Sequence, residues 1–181
     1  MRTLILSACA LVLTACVTRY PEPTSGDRAR IRMVKTGPSA STSFHTFSNM
    51  PAGDCIKQGV ELGEQRIALF DNPLVHYNAS LGIPGNDAQA SQRFSEAYIH
   101  AGRPFLLDAF VIGANVQNSY QCRVAALWSP ESGADYEAVL HWTGSACQLT
   151  VSKVEAGGPD GVALKRPVDA RFLKTCEAPG K

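Results

Sequence analysis

A chain of 181 residues with 17 Lys and Arg against 16 Asp and Glu has a formal net charge of +1. That balance removes the electrostatic case for a nucleic-acid partner or a strongly acidic target. Without a leader, about 165 residues remain, enough for one domain with a sizeable core and too few for two.

Arg2 precedes the apolar run 4–13, which has the length of a signal-peptide core and is too short to cross a bilayer as a mature helix. The tetrad Leu13-Thr14-Ala15-Cys16 resembles the bacterial lipobox, in which cleavage precedes the cysteine and its thiol takes a diacylglyceryl group. The resemblance implies a signal peptide over 1–15, acyl chains such as palmitate on Cys16, and membrane attachment through that N-terminal lipid. Val17 stands where an aspartate would retain such a protein in the inner membrane, which implies the outer membrane, facing the periplasm. Leu6-Ser7-Ala8-Cys9 fits the same pattern but leaves an apolar core of only a few residues. The other reading is an ordinary secretory signal ending near Ala15. Each buried methylene contributes about 0.8 kcal/mol, and stable anchoring takes two chains or more.

Residues 16–27 hold two prolines, a glycine and no apolar period, as expected of a flexible tether carrying a single domain over 28–181. Residues 28–35 alternate. Ala29, Ile31 and Met33 point one way and Arg28, Arg30 and Arg32 the other, a half-buried strand with an outward basic row. That row is expected to be a solvated face, with contact to anionic lipid headgroups as the sharper alternative. A short strand is expected at 42–47 and elements of undecided type in 56–71. His45 and His76 read as isolated histidines. Residues 72–94, rich in Pro, Gly, Asn and small polar residues, read as a long loop with one helical turn near 88–93, and as the best candidate for a partner-binding surface. Asn78-Ala79-Ser80 has the form of a glycosylation sequon, which a bacterial lipoprotein would not normally use.

Five strands are expected at 95–101, 104–113, 120–129, 135–143 and 146–155, with a further short one around 162–165 in a polar C-terminal tail. The inward sets Tyr120, Cys122, Val124, Ala126 and Trp128; Tyr136, Ala138, Leu140 and Trp142; and Cys147, Leu149 and Val151 can bury their aromatics only against a second layer. This predicts a mainly β fold, an antiparallel β-sandwich of immunoglobulin-like or transthyretin-like type with long loops and little helix.

Beyond the signal and Cys16, the cysteines are Cys55, Cys122, Cys147 and Cys176. An even number in an exported chain reads as two disulfides, and the spacing suits no metal. If 131–134 and 144–145 turn successive hairpins, Cys122 and Cys147 sit on strands either side of a central one. They are then roughly 9.5 Å apart, beyond the roughly 7 Å that a disulfide spans. Cys55 with Cys122 and Cys147 with Cys176 is therefore the preferred pairing.

Pro130, Gly133 and Tyr136 form a Pro-x-x-Gly-x-x-Tyr turn in which proline ends a strand, glycine supplies a positive φ and the tyrosine ring folds into the core. In this the stretch 97–154 resembles small bacterial envelope lipoproteins of β-sandwich type. Ser132-Gly133-Ala134-Asp135-Tyr136 is also faintly similar to the Ser-Gly-x-x-Tyr loop of membrane-bound inhibitors of c-type lysozyme, which implies a lysozyme-inhibitor-like or ligand-binding lipoprotein as the alternative. An inhibitor would project Ser132 into solvent beside a basic residue, whereas a packing turn would bury Tyr136.

No catalytic elbow, metal-ligand helix or phosphate-cradling glycine loop is present in the sequence. Asp108 interrupts an apolar strand and reads as a hydrogen-bonded structural acid, and His141 as solvent-facing. The expectation is a structural, assembly or partner-binding lipoprotein without catalysis, cofactor or metal, engaging an envelope protein. Labelling cells with a palmitate analogue should mark the chain. Cys16→Ala should lose the label and release the protein into the periplasm, and an unchanged pattern would contradict the lipobox reading.

Overall fold

The computed structural model describes residues 18–48, 53–56, 63–71, 79–85, 93–114, 119–157 and 162–176. They form β1 (Thr18–Arg19), β2 (Arg28–Thr36), β3 (Ser41–Phe47), β4 (Cys55–Ile56), β5 (Glu64–Phe70), β6 (Arg93–His100), β7 (Phe105–Ala114), β8 (Ser119–Trp128), β9 (Asp135–Trp142), β10 (Cys147–Glu155), β11 (Leu164–Pro167) and β12 (Arg171–Thr175). No helix occurs among the described residues. The helical turn expected near 88–93 falls mostly outside them, and Arg93 begins β6.

Two sheets pack face to face. One has seven strands in the order β1-β5-β3-β7-β8-β12-β4, the other five in the order β11-β10-β9-β2-β6. Period-two alternation places one apolar row from each strand between them. Phe44, Leu107, Val111 and Trp128 of the first sheet meet Ile31, Met33, Ile99, Tyr136, Leu140 and Trp142 of the second in one buried cluster. Trp128 and Tyr136 meet at a tilt of 57° with ring centroids 5.9 Å apart and Phe105 meets Trp128 edge-on at 5.5 Å, arrangements worth about 0.5–1.5 kcal/mol each beyond area burial.

The expected antiparallel arrangement is corrected to mixed sheets. β1 runs parallel to β5, β2 to β9 and β12 to β4. Parallel neighbours require long connections, and the partners of each pair are far apart in the chain. The segment expected as a tether makes contacts from Thr18 onward: Tyr20 donates its backbone N–H to Arg66 O at 2.9 Å, and Glu22 accepts from the Tyr98 N–H at 2.8 Å. β12, expected as polar tail, buries only Leu173.

The disulfide pairing is also corrected. Cys55 bonds Cys176 and Cys122 bonds Cys147, with Cα atoms 4.9 and 6.1 Å apart. The hairpin at 143–146 is as expected, with Cys147 opposite Trp142. The turn at 129–134 does not make a hairpin, however. It carries the chain from β8 in one sheet to β9 in the other, and Cys122 pairs with Val111 of β7. Cys122 and Cys147 therefore point at each other across the layers. The second bridge fixes β12 against β4, where Lys174 lies opposite Cys55.

Loop-closure entropy ranks the two bridges. The Cys55–Cys176 link spans 121 residues and the Cys122–Cys147 link 25, so removing them should cost about 5 and about 3.5 kcal/mol respectively. Denaturant melts of the paired Cys→Ala variants should show the C55A/C176A protein as the less stable. Peptide mapping under non-reducing conditions should find the same two links, and a 55–122 peptide would contradict the structure.

Candidate functional site

The basic row of β2 is not a solvated face. In-register pairing sets Arg32 directly opposite Glu96 of β6 on one side and Glu137 of β9 on the other, and all three side chains are buried. Arg32 Nε donates to Glu96 Oε1 at 2.9 Å and Nη1 lies 3.4 Å from Glu137 Oε2. The guanidinium also donates to the carbonyls of Ile83 and Pro84. The second oxygen of Glu96 accepts from the Leu81 and Ile83 N–H groups and the Ser80 hydroxyl, and Lys165 Nζ reaches Glu137 Oε1 at 2.6 Å. Arg30 forms a fork onto Asp135, both contacts 2.7 Å, and holds Leu81 O at 2.8 Å. Residues 79–85 thus lie as a strap over the outer face of the five-stranded sheet. Part of the long loop expected as a partner surface is the lid of a charged interior. This also overturns the headgroup reading for Arg32, whose charge is neutralised and out of reach of solvent.

A second charged interior lies on the seven-stranded sheet. His45 of β3 faces Asp108 of β7 in register, and Glu64 of β5 and Arg123 of β8 complete the group. All four are buried. Arg123 contacts Asp108 through Nε and Nη2 at 2.8–3.1 Å and sits 3.5 Å from Glu64. His45 Nδ1 lies 2.7 Å from Glu64 Oε1 and 3.7 Å from Asp108 Oδ2. The close contact is out of line for a good hydrogen bond, since Nδ1 has no aligned partner.

The ligand atoms of His45, Glu64 and Asp108 lie within 4.8 Å of one another, so a metal must be weighed. It does not fit. A divalent ion would need the carboxylate oxygens that Arg123 already engages, and the guanidinium supplies the compensating charge. Burial alone would lower the His45 pKa. Asp108 and Glu64 outweigh it, and the net value lies above that of an ordinary histidine.

The turn after β8 is a packing device. Gly133 has φ 74°, the Tyr136 ring is buried, and its hydroxyl accepts from the Glu131 N–H at 2.9 Å. Ser132 is exposed, but its neighbour is an acid, Asp27, at 3.2 Å. His141 is exposed and its Nδ1 lies 2.9 Å from the Thr36 hydroxyl. Cys16, His76 and Asn78 lie outside the described residues.

One surface combines unpaired backbone with apolar lining. β11 covers only Ser152–Glu155 of β10, so the first half of β10 has no strand on that side among the described residues. Val168 N–H bonds Val151 O, which fixes the side that Val151 presents. Alternation turns the N–H and C=O of Leu149 the same way. This half-edge runs along an open cleft of about 650 Å³, walled by Val124, Leu149, Val151, Val168 and Phe172, with Lys174 at its rim. Phe172 is 48% exposed. Sequence alternation marked β10 as a strand but could not show that its pairing strand stops halfway.

No family model matches the chain, and neither does a curated protein or a solved structure. The site therefore rests on geometry alone.

The His45 cluster makes stability depend on pH. A histidine whose pKa is raised on folding contributes stability that is fully present below its unfolded value, about 6.5. That contribution is lost as pH rises through the higher folded value. Denaturant melts from about pH 5 to 9 should show a decline through this window that His45→Gln lacks. Parallel profiles would contradict the assignment.

Proposed function

We propose that this chain is an exported lipoprotein of the bacterial outer membrane, held through lipid on Cys16, that works by binding an envelope protein and not by catalysis. The lipobox-like Leu13-Thr14-Ala15-Cys16 and the two disulfides support the compartment. The observation that carries the binding reading is the half-paired β10 lying along an apolar cleft. An extended segment of the partner adds to β10 beside Leu149, its main chain pairing with the free half-edge. Its apolar side chains enter the cleft against Val151 and Phe172, and an acidic residue meets Lys174. Backbone pairing gives affinity and the cleft selects alternate side chains. The lysozyme-inhibitor alternative has less support, because Ser132 faces an acid and Tyr136 is committed to the core.

A photoreactive residue at exposed Gln148 should yield one discrete crosslinked species in cells. That species should fall at least several-fold with Phe172→Asp and with Lys174→Glu, while the melting profile of the purified variants stays unchanged. No crosslink, or one indifferent to both substitutions, would overturn the reading.

A further inference from the structure

A second opening of about 470 Å³ lies where residues 20 and 21 pass the end of β6 and the start of β7. Its walls include Tyr20, Thr46, Ser48, Gln65, His100 and Arg103. Among the described residues no carboxylate lines it. Glu22, the nearest acid along the chain, is taken up by the Tyr98 N–H at 2.8 Å. Arg103 is exposed in the turn between β6 and β7 and has no ion pair among the described residues. Tyr20 is only 6% exposed, its ring set edge-on to His100 and Phe105 at 6.5 and 6.3 Å, and its buried hydroxyl has no partner in bonding geometry. Burial raises the Tyr20 pKa and the charge of Glu22 adds to this, while the His100 backbone and the charge of Arg103 act in the opposite direction; Tyr20 and Arg103 line the same opening.

A buried hydroxyl without an acceptor is uncommon in native proteins and calls for an explanation. A group able both to accept from this phenol and to neutralise the guanidinium lining the same opening is an anion. A carboxylate can be used up by the fork of one arginine. A tetrahedral oxyanion keeps oxygens for the opposite wall. The geometry points to a phosphate-binding site in this opening, with Arg103 neutralising the phosphate and the Tyr20 hydroxyl donating to one of its oxygens. Thr46, Ser48 and Gln65 offer further donors from the cavity wall. The site is independent of the β10 edge. Tyr20 follows Cys16 closely in the sequence, so the phosphate can belong to a lipid headgroup beside the anchor or to a free phosphate.

The test uses purified full-length protein in neutral detergent, following the His100 ring by NMR. That histidine titrates below its ordinary value because of burial and of Arg103. An anion bound beside it should move the titration upward. Inorganic phosphate shifting it saturably, with affinity reduced about tenfold by Arg103→Ala and several-fold by Tyr20→Phe, supports a free-phosphate site. A shift produced only by phosphatidylglycerol micelles, and equally sensitive to both substitutions, supports the headgroup. No shift with either probe, or a shift that Arg103→Ala leaves intact, overturns the proposal.

Discussion

The fold depends on one arginine being buried between two glutamates. Arg32 on β2 faces Glu96 on β6 and Glu137 on β9 in direct register, and none of the three reaches solvent appreciably. Such a group adds little net stability compared with an apolar replacement, because desolvation consumes most of the Coulombic gain. Breaking it is another matter. Removing one partner leaves an uncompensated buried charge, at a cost of about 3–5 kcal/mol. A slip of β2 by one residue would remove Arg32 from both carboxylates and turn its apolar row to the outside. The charges therefore specify which strands are neighbours and in what register, including the parallel β2–β9 pair.

The same device anchors the cover. An amphipathic sheet ordinarily leaves its second face to water. Here the outer face of the five-stranded sheet carries charge whose remaining hydrogen-bonding capacity is spent on backbone groups of residues 81–84. The strap lacks secondary structure of its own, so its backbone needs partners from elsewhere, and the arginine row supplies them. The Ala79 carbonyl accepts from the Glu96 N–H at 2.9 Å, which also closes part of the β6 edge against pairing with another chain.

How much of this was legible follows from what periodicity can encode. Alternation identified β2 and β8 to β10 to within a residue or two, since each has one apolar row, while β7 stood out as apolar on both sides apart from Asp108. Alternation does not reveal whether the polar row meets water. Arg30 and Arg32 look solvated in sequence because the groups that bury them come from residues 81–84 and from β6 and β9, distant in the chain. The pairing of Cys122 with Cys147 was hidden for a related reason: a hairpin and a corner between sheets preserve the same inward row, as the core is common to both layers. Asp108 was visible as an acid in an apolar strand. Its partners His45 and Arg123 became neighbours only through strand order. β12 buries a single apolar side chain, Leu173, so it has no period to detect.

The outermost strands of the two sheets are short, charged or covered. β1 and β4 are two residues long, β6 is met by residue 79 and by Glu22, and β11 is short and carries Lys165 and Arg166. Short strands, charge and covering segments are the usual means of blocking unwanted pairing. Among the described residues, the first half of β10 has no strand on its second side, as is also true of parts of β5 and β8, and at β10 an apolar cleft lies beside that free half. The Cys122–Cys147 bridge crosses the layers at this same end, and Cys147 forms part of the cleft wall. A covalent clamp beside an open apolar slot keeps the two sheets from collapsing onto it or splaying further apart. On the proposed binding reading, an edge held in this way would meet an incoming strand already ordered, and preorganisation lowers the ordering cost of association.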